Sequence, residues 1–251
     1  MYAPIMMDAQ AFEDATSAVV SAAPETSPEP NIEVKPEPKQ EPEKPTRNLS
    51  KTPDQSLKEI LNACKTLEDL KQVCELADDL KTDLPNTNLV FGVGNPNADL
   101  LLIGEAPGAN EDRLGEPFVG RAGQLLNKIL EAIQFNREDV YIANIVKHRP
   151  PENRDPLPKE RQRSLPYLER QIDIINPKLI LCLGRVSAHT LLETSAPLKD
   201  MRSKFHPYRE KYELMVTYHP ASLLRNPNWK RGTWEDVKML RKRYDDLDCR
   251  P

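Results

Sequence analysis

The sequence predicts an α/β domain in three layers, with helices on both faces of a central, mainly parallel sheet of four strands. Four short aliphatic runs bounded by turn residues predict the strands, at 99–104, 140–145, 178–183 and 213–218. Stretches in which apolar residues recur with helical spacing separate them. Strands that alternate with helices are typical of a parallel sheet. Hairpins are disfavoured because no Asn-Gly or Asp-Gly pair joins two of these strands.

Each helix is predicted from the spacing of its aliphatic residues. Ahead of the first strand, apolar residues from Leu57 to Leu80 predict one or two helices within 53–84 that lead into the domain. Between the strands, the same spacing predicts helices at 120–134, 158–175 and 185–193. A last helix begins at Thr233, whose hydroxyl suits an N-cap, and ends near Leu247.

The composition divides the chain into two parts. Residues 1–53 contain 9 of the 24 prolines and a repeated Pro-Glu-Pro-Lys texture. Such a segment buries too little apolar surface to offset its loss of conformational entropy, so we expect a disordered tail rich in Pro and Glu. The tail carries nine acidic and five basic residues, which accounts for the net charge of −4 of the whole chain. Residues 54–251 are enough for one domain with a sizeable core, and 54–84 form its leading helices.

One region of the folded part is basic. Between Lys199 and Arg243 there are twelve Lys or Arg residues against five Asp or Glu residues. A basic face on an otherwise neutral domain favours a polyanionic partner. A solvated helix surface would give the same count, so the charge alone does not decide between the two.

Membrane and secreted classes are disfavoured. No apolar run approaches the roughly 18 residues that a membrane span needs, and the first residues lack the pattern of a signal peptide. The four cysteines form no C-x-x-C pair, and no two have the spacing of a recognisable metal site; they are Cys64, Cys74, Cys182 and Cys249. We expect reduced thiols and a protein that stays in the cytoplasm without a membrane partner.

Two loops that follow predicted strands indicate the position of a pocket. The first, 104–108, has the sequence GEAPG and offers the carboxylate of Glu105; the second, 219–225, has the sequence HPASLLR and offers the imidazole of His219. In open α/β sheets, ligands bind at the carboxyl ends of the strands, so both loops are expected to face one crevice. A tight strand-to-helix turn would also explain the glycines and proline of the first loop. A P-loop is excluded because no Gly-Lys-Ser or Gly-Lys-Thr follows.

Further candidates lie between these loops. Phe118 precedes Gly120 and Gly123 at the start of a predicted helix, where free N–H groups favour anions, and is either a core plug or a ring on which a base stacks. Asn144 ends a strand and is either a turn residue or an amide that donates to and accepts from a ligand. The loop after it, 147–154, is rich in Pro and basic residues, as expected of a rim that faces phosphates.

Leu223 and Leu224 have two interpretations. At an exposed loop tip they would form a wedge that enters a base stack, with Arg225 on a phosphate. In the first turn of a helix they would pack inward instead.

The order of these motifs resembles one known family. GEAPG is followed by EPFVGRAGQLL, then YIANIVKHRPPENR, then TYHPASLLRNP, in register from about Val90 to Leu247. This order is similar to that of the family 4 uracil-DNA glycosylases, which flip uracil out of DNA and hydrolyse its N-glycosidic bond. The resemblance implies their three-layer fold, uracil-containing DNA as the partner, and base excision repair as the process. We also expect a monomer; the sequence identifies no partner for the tail.

The resemblance also implies roles for individual residues. Glu105, His219 and Asn153 would be catalytic, with His219 at uracil O2, Glu105 near the sugar cation and Asn153 holding water. Around the base, Phe118 would stack on uracil, Asn144 would exclude cytosine and Glu111 would exclude thymine; Ala106 would complete this pocket. The residues that would contact DNA are Leu223, Leu224, Arg225 and Arg121.

The sequence departs from the family at the iron–sulfur cluster. The four cysteines expected from the resemblance fall at Ala77, Leu80, His148 and Ser164. One imidazole does not hold a cluster, so we expect no metal and no cofactor. Apolar packing and hydrogen bonds would take the place of the cluster.

Two other functions are compatible with the motifs. A non-catalytic DNA-binding module of the same fold would explain the loss of the cluster, but it would not need every pocket residue. A relative that traps uracil covalently would use a histidine after Asn144, and His148 lies in that region. Its position, however, matches a cluster cysteine.

Overall fold

A six-stranded sheet forms the centre of the structure, a computed structural model that describes residues 8–17 and 53–250. The strands are β1 (Val93–Gly94), β2 (Leu100–Gly104), β3 (Tyr141–Asn144), β4 (Leu179–Leu183), β5 (Phe205–Tyr208) and β6 (Tyr212–Thr217). The α-helices are α1 (Ala9–Ser17), α2 (Pro53–Ala63), α3 (Leu67–Leu76), α4 (Ala109–Leu114), α5 (Arg121–Ala132), α6 (Pro158–Ile175), α7 (Arg185–Leu191), α8 (Leu198–Met201), α9 (Pro220–Arg225) and α10 (Lys230–Asp246).

The four predicted strands are the four central ones. The spatial order is β1-β3-β2-β4-β6-β5, and β3, β2, β4 and β6 run parallel. In this register Gly104 pairs with Asn144, and Leu183 with Thr217. The carboxyl ends of the central strands therefore lie at one edge of the sheet, as expected for a ligand site in this class of fold.

The two edge strands are antiparallel to their neighbours and were not predicted. Strand β1 has only two residues. Strand β5 forms a hairpin with β6, and two residues of its turn, Arg209 and Glu210, have φ of 50° and 56°. The four predicted strands run parallel, as expected, but the unpredicted strand β5 is joined to β6 by a hairpin, in whose turn residues other than Asn and Gly adopt the left-handed conformation.

Helices cover both faces of the sheet. Every residue of β2 and β4 is buried, and the side chains alternate between the faces. On one face, Leu100 and Leu102 pack with residues of α5 and α10. On the other face, Leu101 and Ile103 pack with α6 and α7. The three-layer α/β/α architecture is thus confirmed, with six strands instead of four.

A third apolar cluster joins the leading helices to the domain. It contains Leu61 and Cys64 from the α2 end, Leu70 and Cys74 from α3, and Tyr167 from α6. Of the one or two helices predicted within 53–84, the structure has two; the Thr66 side chain accepts a hydrogen bond from the backbone N–H of Asp69 and caps α3. No helix in the ranges described is both long and apolar enough to cross a bilayer.

Helix α1 lies within the segment that was expected to be disordered. Phe12 is fully buried and stacks on Trp234 of α10, with 4.8 Å between ring centroids. At the end of α1, the Ser17 hydroxyl accepts a hydrogen bond of 2.9 Å from Lys230 Nζ. Nine residues are too few for a stable isolated helix, so this packing holds it. The expectation of disorder is wrong for Ala9–Ser17; 1–7 and 18–52 lie outside the described residues.

Candidate active site

A cavity of about 510 Å³ opens at the carboxyl ends of the parallel strands. The segments that follow β2, β3, β4 and β6 all contribute to its wall. Most of the residues singled out from the sequence line it together: Glu105, Ala106, Glu111, Phe118, Asn144, Asn153, His219 and Arg225. The sequence-based expectation of one pocket at this edge therefore agrees with the geometry.

The ring of Phe118 reaches the pocket through a constrained backbone. Phe118 has φ of 53°, in the left-handed region, and it is buried. A Cβ on Gly123 would stand 1.8 Å from the Phe118 carbonyl oxygen, and a Cβ on Gly104 would stand 2.6 Å from its Cζ atom. The two glycines therefore let this conformation exist. The side chain is buried like a plug and also faces the cavity.

Asn144 carries an unsatisfied polar atom at the end of β3. The residue is 2% exposed and lines the cavity, and its Oδ1 atom has no hydrogen-bond partner within the part of the chain that the structure describes. A Cβ on Gly104 would lie 2.4 Å from Oδ1, so glycine is needed there too. Leaving a buried acceptor unpaired costs about 1–3 kcal/mol. An acceptor kept at this cost beside a cavity is suited to a ligand N–H.

Lys147 fixes the backbone next to Asn144. Its ammonium is fully buried and donates to the carbonyls of Asn144 (3.1 Å) and Phe91 (3.2 Å) and to Gln171 Oε1 (2.7 Å). Burial lowers the pKa of Lys147 to about 8. The loop was expected to turn its basic residues toward phosphates, and for Lys147 this is wrong because three acceptors hold it in the interior.

The protonation of His219 follows from its hydrogen bonding. The residue caps α9, and its Nδ1 atom accepts a hydrogen bond of 3.1 Å from the backbone N–H of Ala221. Burial, with a contribution from Arg225, lowers the pKa of His219 to about 4. At neutral pH the ring is therefore uncharged, and Nε2 carries the proton. The ring lies 5.5 Å from that of Phe118, between centroids.

Glu105 lies beside a second carboxylate and a cation that the sequence did not predict. Burial, followed by the charge of Asp155 and a hydrogen bond to it, raises the pKa of Glu105 to about 7. Asp155 Oδ2 in turn accepts a hydrogen bond of 3.0 Å from Arg185. Asp155 and Arg185 both line the cavity. Neither was predicted, because their spacing from Glu105 in the chain carries no signal and only the loop geometry joins them.

The carboxylate of Glu111 is fixed at the start of α5. Its Oε1 atom accepts hydrogen bonds from the backbone N–H groups of Val119 (3.0 Å) and Gly120 (2.8 Å). These are the N–H groups that were expected to attract an anionic ligand, so Glu111 already uses this helix terminus. Its position also brings a carboxylate to the cavity wall.

Asn153 lies at the outer rim. It is exposed, has φ of 53°, and accepts a hydrogen bond of 2.7 Å from Arg149 Nε through Oδ1. Asn153 lines the cavity, and the hydrogen bond to Arg149 does not use its amide N–H groups.

The residues expected to contact DNA differ in exposure. Leu223 is fully buried in the core, and Leu224 is half-buried against it. The expected exposed wedge is therefore wrong for Leu223, because residues 220–225 form helix α9 and turn that side chain inward. Arg225 is exposed at the cavity, and Arg121 is exposed at the first position of α5.

The four positions expected to hold cluster ligands are occupied by side chains that pack or form polar contacts within the protein. Leu80 is buried in the third apolar cluster, and Ala77 packs against it. Ser164 Oγ donates to the Ile145 carbonyl (2.7 Å), and His148 Nδ1 lies 3.0 Å from Thr87 Oγ1. Among the residues described, no three His, Cys, Asp or Glu are grouped to hold a metal ion. Two aliphatic side chains, one hydroxyl and one imidazole do not fit an iron–sulfur cluster.

Comparison with known proteins agrees with the geometry. Residues 91–246 match the model of the uracil DNA glycosylase superfamily. A type-4 uracil-DNA glycosylase of Archaeoglobus fulgidus is 40% identical over 185 residues, which cover 70% of this chain and 92% of that protein. Type-4 enzymes of Sulfurisphaera tokodaii and Pyrobaculum aerophilum are 46% and 39% identical, over 62% and 69% of this chain and 74% and 92% of their own lengths. The chain belongs to the uracil-DNA glycosylase superfamily.

Proposed function

We propose that this protein is a uracil-DNA glycosylase, which receives a uridine flipped out of DNA and hydrolyses its N-glycosidic bond to start base excision repair. The unpaired Oδ1 atom of Asn144, beside the Phe118 ring, carries the proposal. Uracil presents an N3–H donor to this acceptor, whereas cytosine presents a lone pair at N3. Relatives named type-4 uracil-DNA glycosylases, 39–46% identical, support the same activity.

Flipping is required because the reacting bond is inaccessible in a stacked duplex. Phe118 stacks on the extruded base, and Asn144 pairs with its edge. Glu111, held by the α5 backbone amides, stands where a methyl group at C5 would collide and so excludes thymine. Ala106 completes the wall.

His219 stabilises the leaving group. When the C1′–N1 bond breaks, its electron pair passes to uracil, and negative charge develops on O2. The neutral imidazole donates Nε2–H to that oxygen, because Nδ1 is already an acceptor for Ala221 N–H. A fixed donor of this kind contributes a factor of about 10² to 10³ to the rate.

Glu105 acts on the sugar. Its carboxylate faces the oxocarbenium-like centre at C1′ and accepts the proton of the water whose oxygen bonds to C1′. A pKa of about 7 suits this base near neutral pH. Asn153 holds the water from the rim, and the proton returns to solvent after release of the products.

The surface around the opening holds the DNA backbone. Arg225 and Arg121 are exposed cations that neutralise phosphates. Leu224 is half-buried in α9 next to Arg225, and it is the leucine that approaches the base stack. The protein acts as a monomer in the cytoplasm.

The activity does not depend on an iron–sulfur cluster. The side chains at the four family positions leave one nitrogen ligand, already close to Thr87. Protein purified from iron-supplemented cells is expected to contain iron far below stoichiometry and no broad visible absorbance. Stoichiometric iron with that absorbance would refute this part of the proposal.

The activity is tested with an end-labelled oligonucleotide that carries one uracil, followed by alkali. We expect strand scission at the uracil, lost in His219→Ala and Glu105→Ala. His206→Ala is the matched control, because His206 bonds to the Met201 carbonyl outside the pocket. Tight, salt-sensitive binding without scission would indicate a non-catalytic DNA-binding module. A uracil-dependent adduct that survives denaturation would indicate covalent trapping, although buried His148 does not line the cavity.

A further inference from the structure

An exposed indole stands at the mouth of the cavity, and the mechanism above does not use it. Trp229 is 40% exposed and lines the cavity with His219 and Arg225. Its ring stacks on Tyr218, with centroids 4.7 Å apart and planes 16° from parallel. Because Tyr218 covers one face of the indole, only the opposite face is left for a base to stack on.

Buried interactions hold this stack in place. The guanidinium of Arg202 lies over the Tyr218 ring, 3.9 Å from its centroid. Arg202 Nε donates to Asp236 (2.7 Å), whose carboxylate is fully buried. A Cβ on Gly232 would lie 2.8 Å from the Arg202 guanidinium, so glycine makes room for it. Asp236, Arg202, Tyr218 and Trp229 thus form a continuous support from the core to the rim.

The backbone of Trp229 is also fixed, and its surroundings are cationic. Its N–H donates to the Asn226 carbonyl (3.1 Å), and its carbonyl accepts from the Thr233 hydroxyl (3.3 Å). Two basic residues near it in the chain, Arg225 and Arg231, are exposed, and Arg225 lines the same cavity. A rigid aromatic face beside cations is the combination that binds single-stranded nucleic acid, with stacking on bases and charge on phosphates.

We propose that Trp229 is a stacking platform for the nucleobase next to the flipped uridine, and that it favours single-stranded over duplex DNA. In a duplex, the neighbouring bases are already stacked and paired, so the indole gains little from them. In a single strand, the neighbouring base is available, and its π-face adds to the binding. This role presupposes the proposed action on DNA and adds a subsite outside the uracil pocket.

The test compares Trp229→Ala, Trp229→Leu and Trp229→Phe on single-stranded and duplex oligonucleotides with one uracil. We expect Ala and Leu to lower kcat/KM on the single strand by about 5- to 150-fold, with a much smaller effect on the duplex. Phe keeps a ring and is expected to retain most of the activity. Equal losses on both substrates, or loss with Phe as large as with Ala, would overturn the proposal.

A second measurement separates stacking from catalysis. In a His219→Ala background, 2-aminopurine placed beside uracil in a single strand is expected to lose fluorescence on binding, and Trp229→Ala should abolish this quenching. Unchanged quenching in Trp229→Ala would refute the platform. If the wild-type protein excises no uracil, the proposed activity fails, yet this binding signal still decides the role of Trp229.

Discussion

Replacing Asp155 with asparagine should shift the acidic limb of the pH–rate profile toward lower pH. Burial, then the charge of Asp155 and its hydrogen bond, raises the pKa of Glu105 to about 7, from 4.5. Asp155→Asn leaves the burial in place but removes the neighbouring charge. It also leaves Arg185 without its carboxylate partner, and this cation favours the ionised form of Glu105.

The size of the shift follows from exposure. The Asp155 side chain is 68% exposed, so solvent screens its charge, and we expect the pKa of Glu105 to fall by about 1 unit. With a pKa near 7, about one tenth of Glu105 is ionised at pH 6; with a pKa near 6, about one half is. The variant should therefore be about fivefold more active than the wild type at pH 6 and equal to it at pH 8.

The assay is kcat/KM for uracil excision from a single-stranded oligonucleotide between about pH 5 and pH 9. Glu152→Gln is the matched control, because Glu152 is an exposed carboxylate of the same loop that does not line the cavity. It should leave the profile unchanged. An acidic limb that stays in place or rises in Asp155→Asn would show that Asp155 does not set the ionisation of Glu105.

Three further changes have defined outcomes. Glu105→Gln should stabilise the protein by at most about 3 kcal/mol at pH 8 and not at pH 4. The reason is that a carboxyl group whose pKa is raised in the folded state opposes folding only above its unfolded pKa of 4.5. The free energy of unfolding in urea, measured at both pH values, tests this. Asn144→Ala should lower kcat/KM about 5- to 150-fold without lowering Tm, because Oδ1 has no partner to lose within the described structure; a large drop in Tm would contradict this. Phe12→Ala should lower Tm as much as deletion of 1–52, because loss of the Trp234 stack undocks α1 as a unit; a clearly larger effect of the deletion would refute that.

The sequence predicted the parts of the fold that local patterns encode. Buried runs such as Leu179–Leu183 have the composition of central parallel strands, and the helix predicted at 158–175 occurs as Pro158–Ile175. Strand β5 was missed because Phe205–Tyr208 contains His and Pro, and only pairing with β6 makes it a strand. Helix α1 was missed because one aromatic residue, Phe12, provides most of its packing.

Motifs in the sequence predicted the pocket residues, but they did not predict the residues that hold those side chains in position. Gly104 was interpreted as a turn residue and Gly123 as part of a helix start that approaches a ligand, whereas the structure shows both making room for Phe118. Asp155 is an ordinary loop carboxylate in the sequence, and only the folded loop brings it to Glu105. Trp229 and Arg202, 27 positions apart in the chain, share a function only through the ring of Tyr218 between them.

The docking of α1 makes the chain between Ser17 and Pro53 a connection anchored at both ends. While the chain is intact, the helix and its groove belong to one molecule, so docking is an intramolecular step that does not depend on protein concentration. One proteolytic cut in that connection would make the contact bimolecular, and docking of the nine-residue helix would then weaken as the protein is diluted. Loss of α1 would remove the stacking partner of Trp234 and leave the residues that line the cavity in one piece.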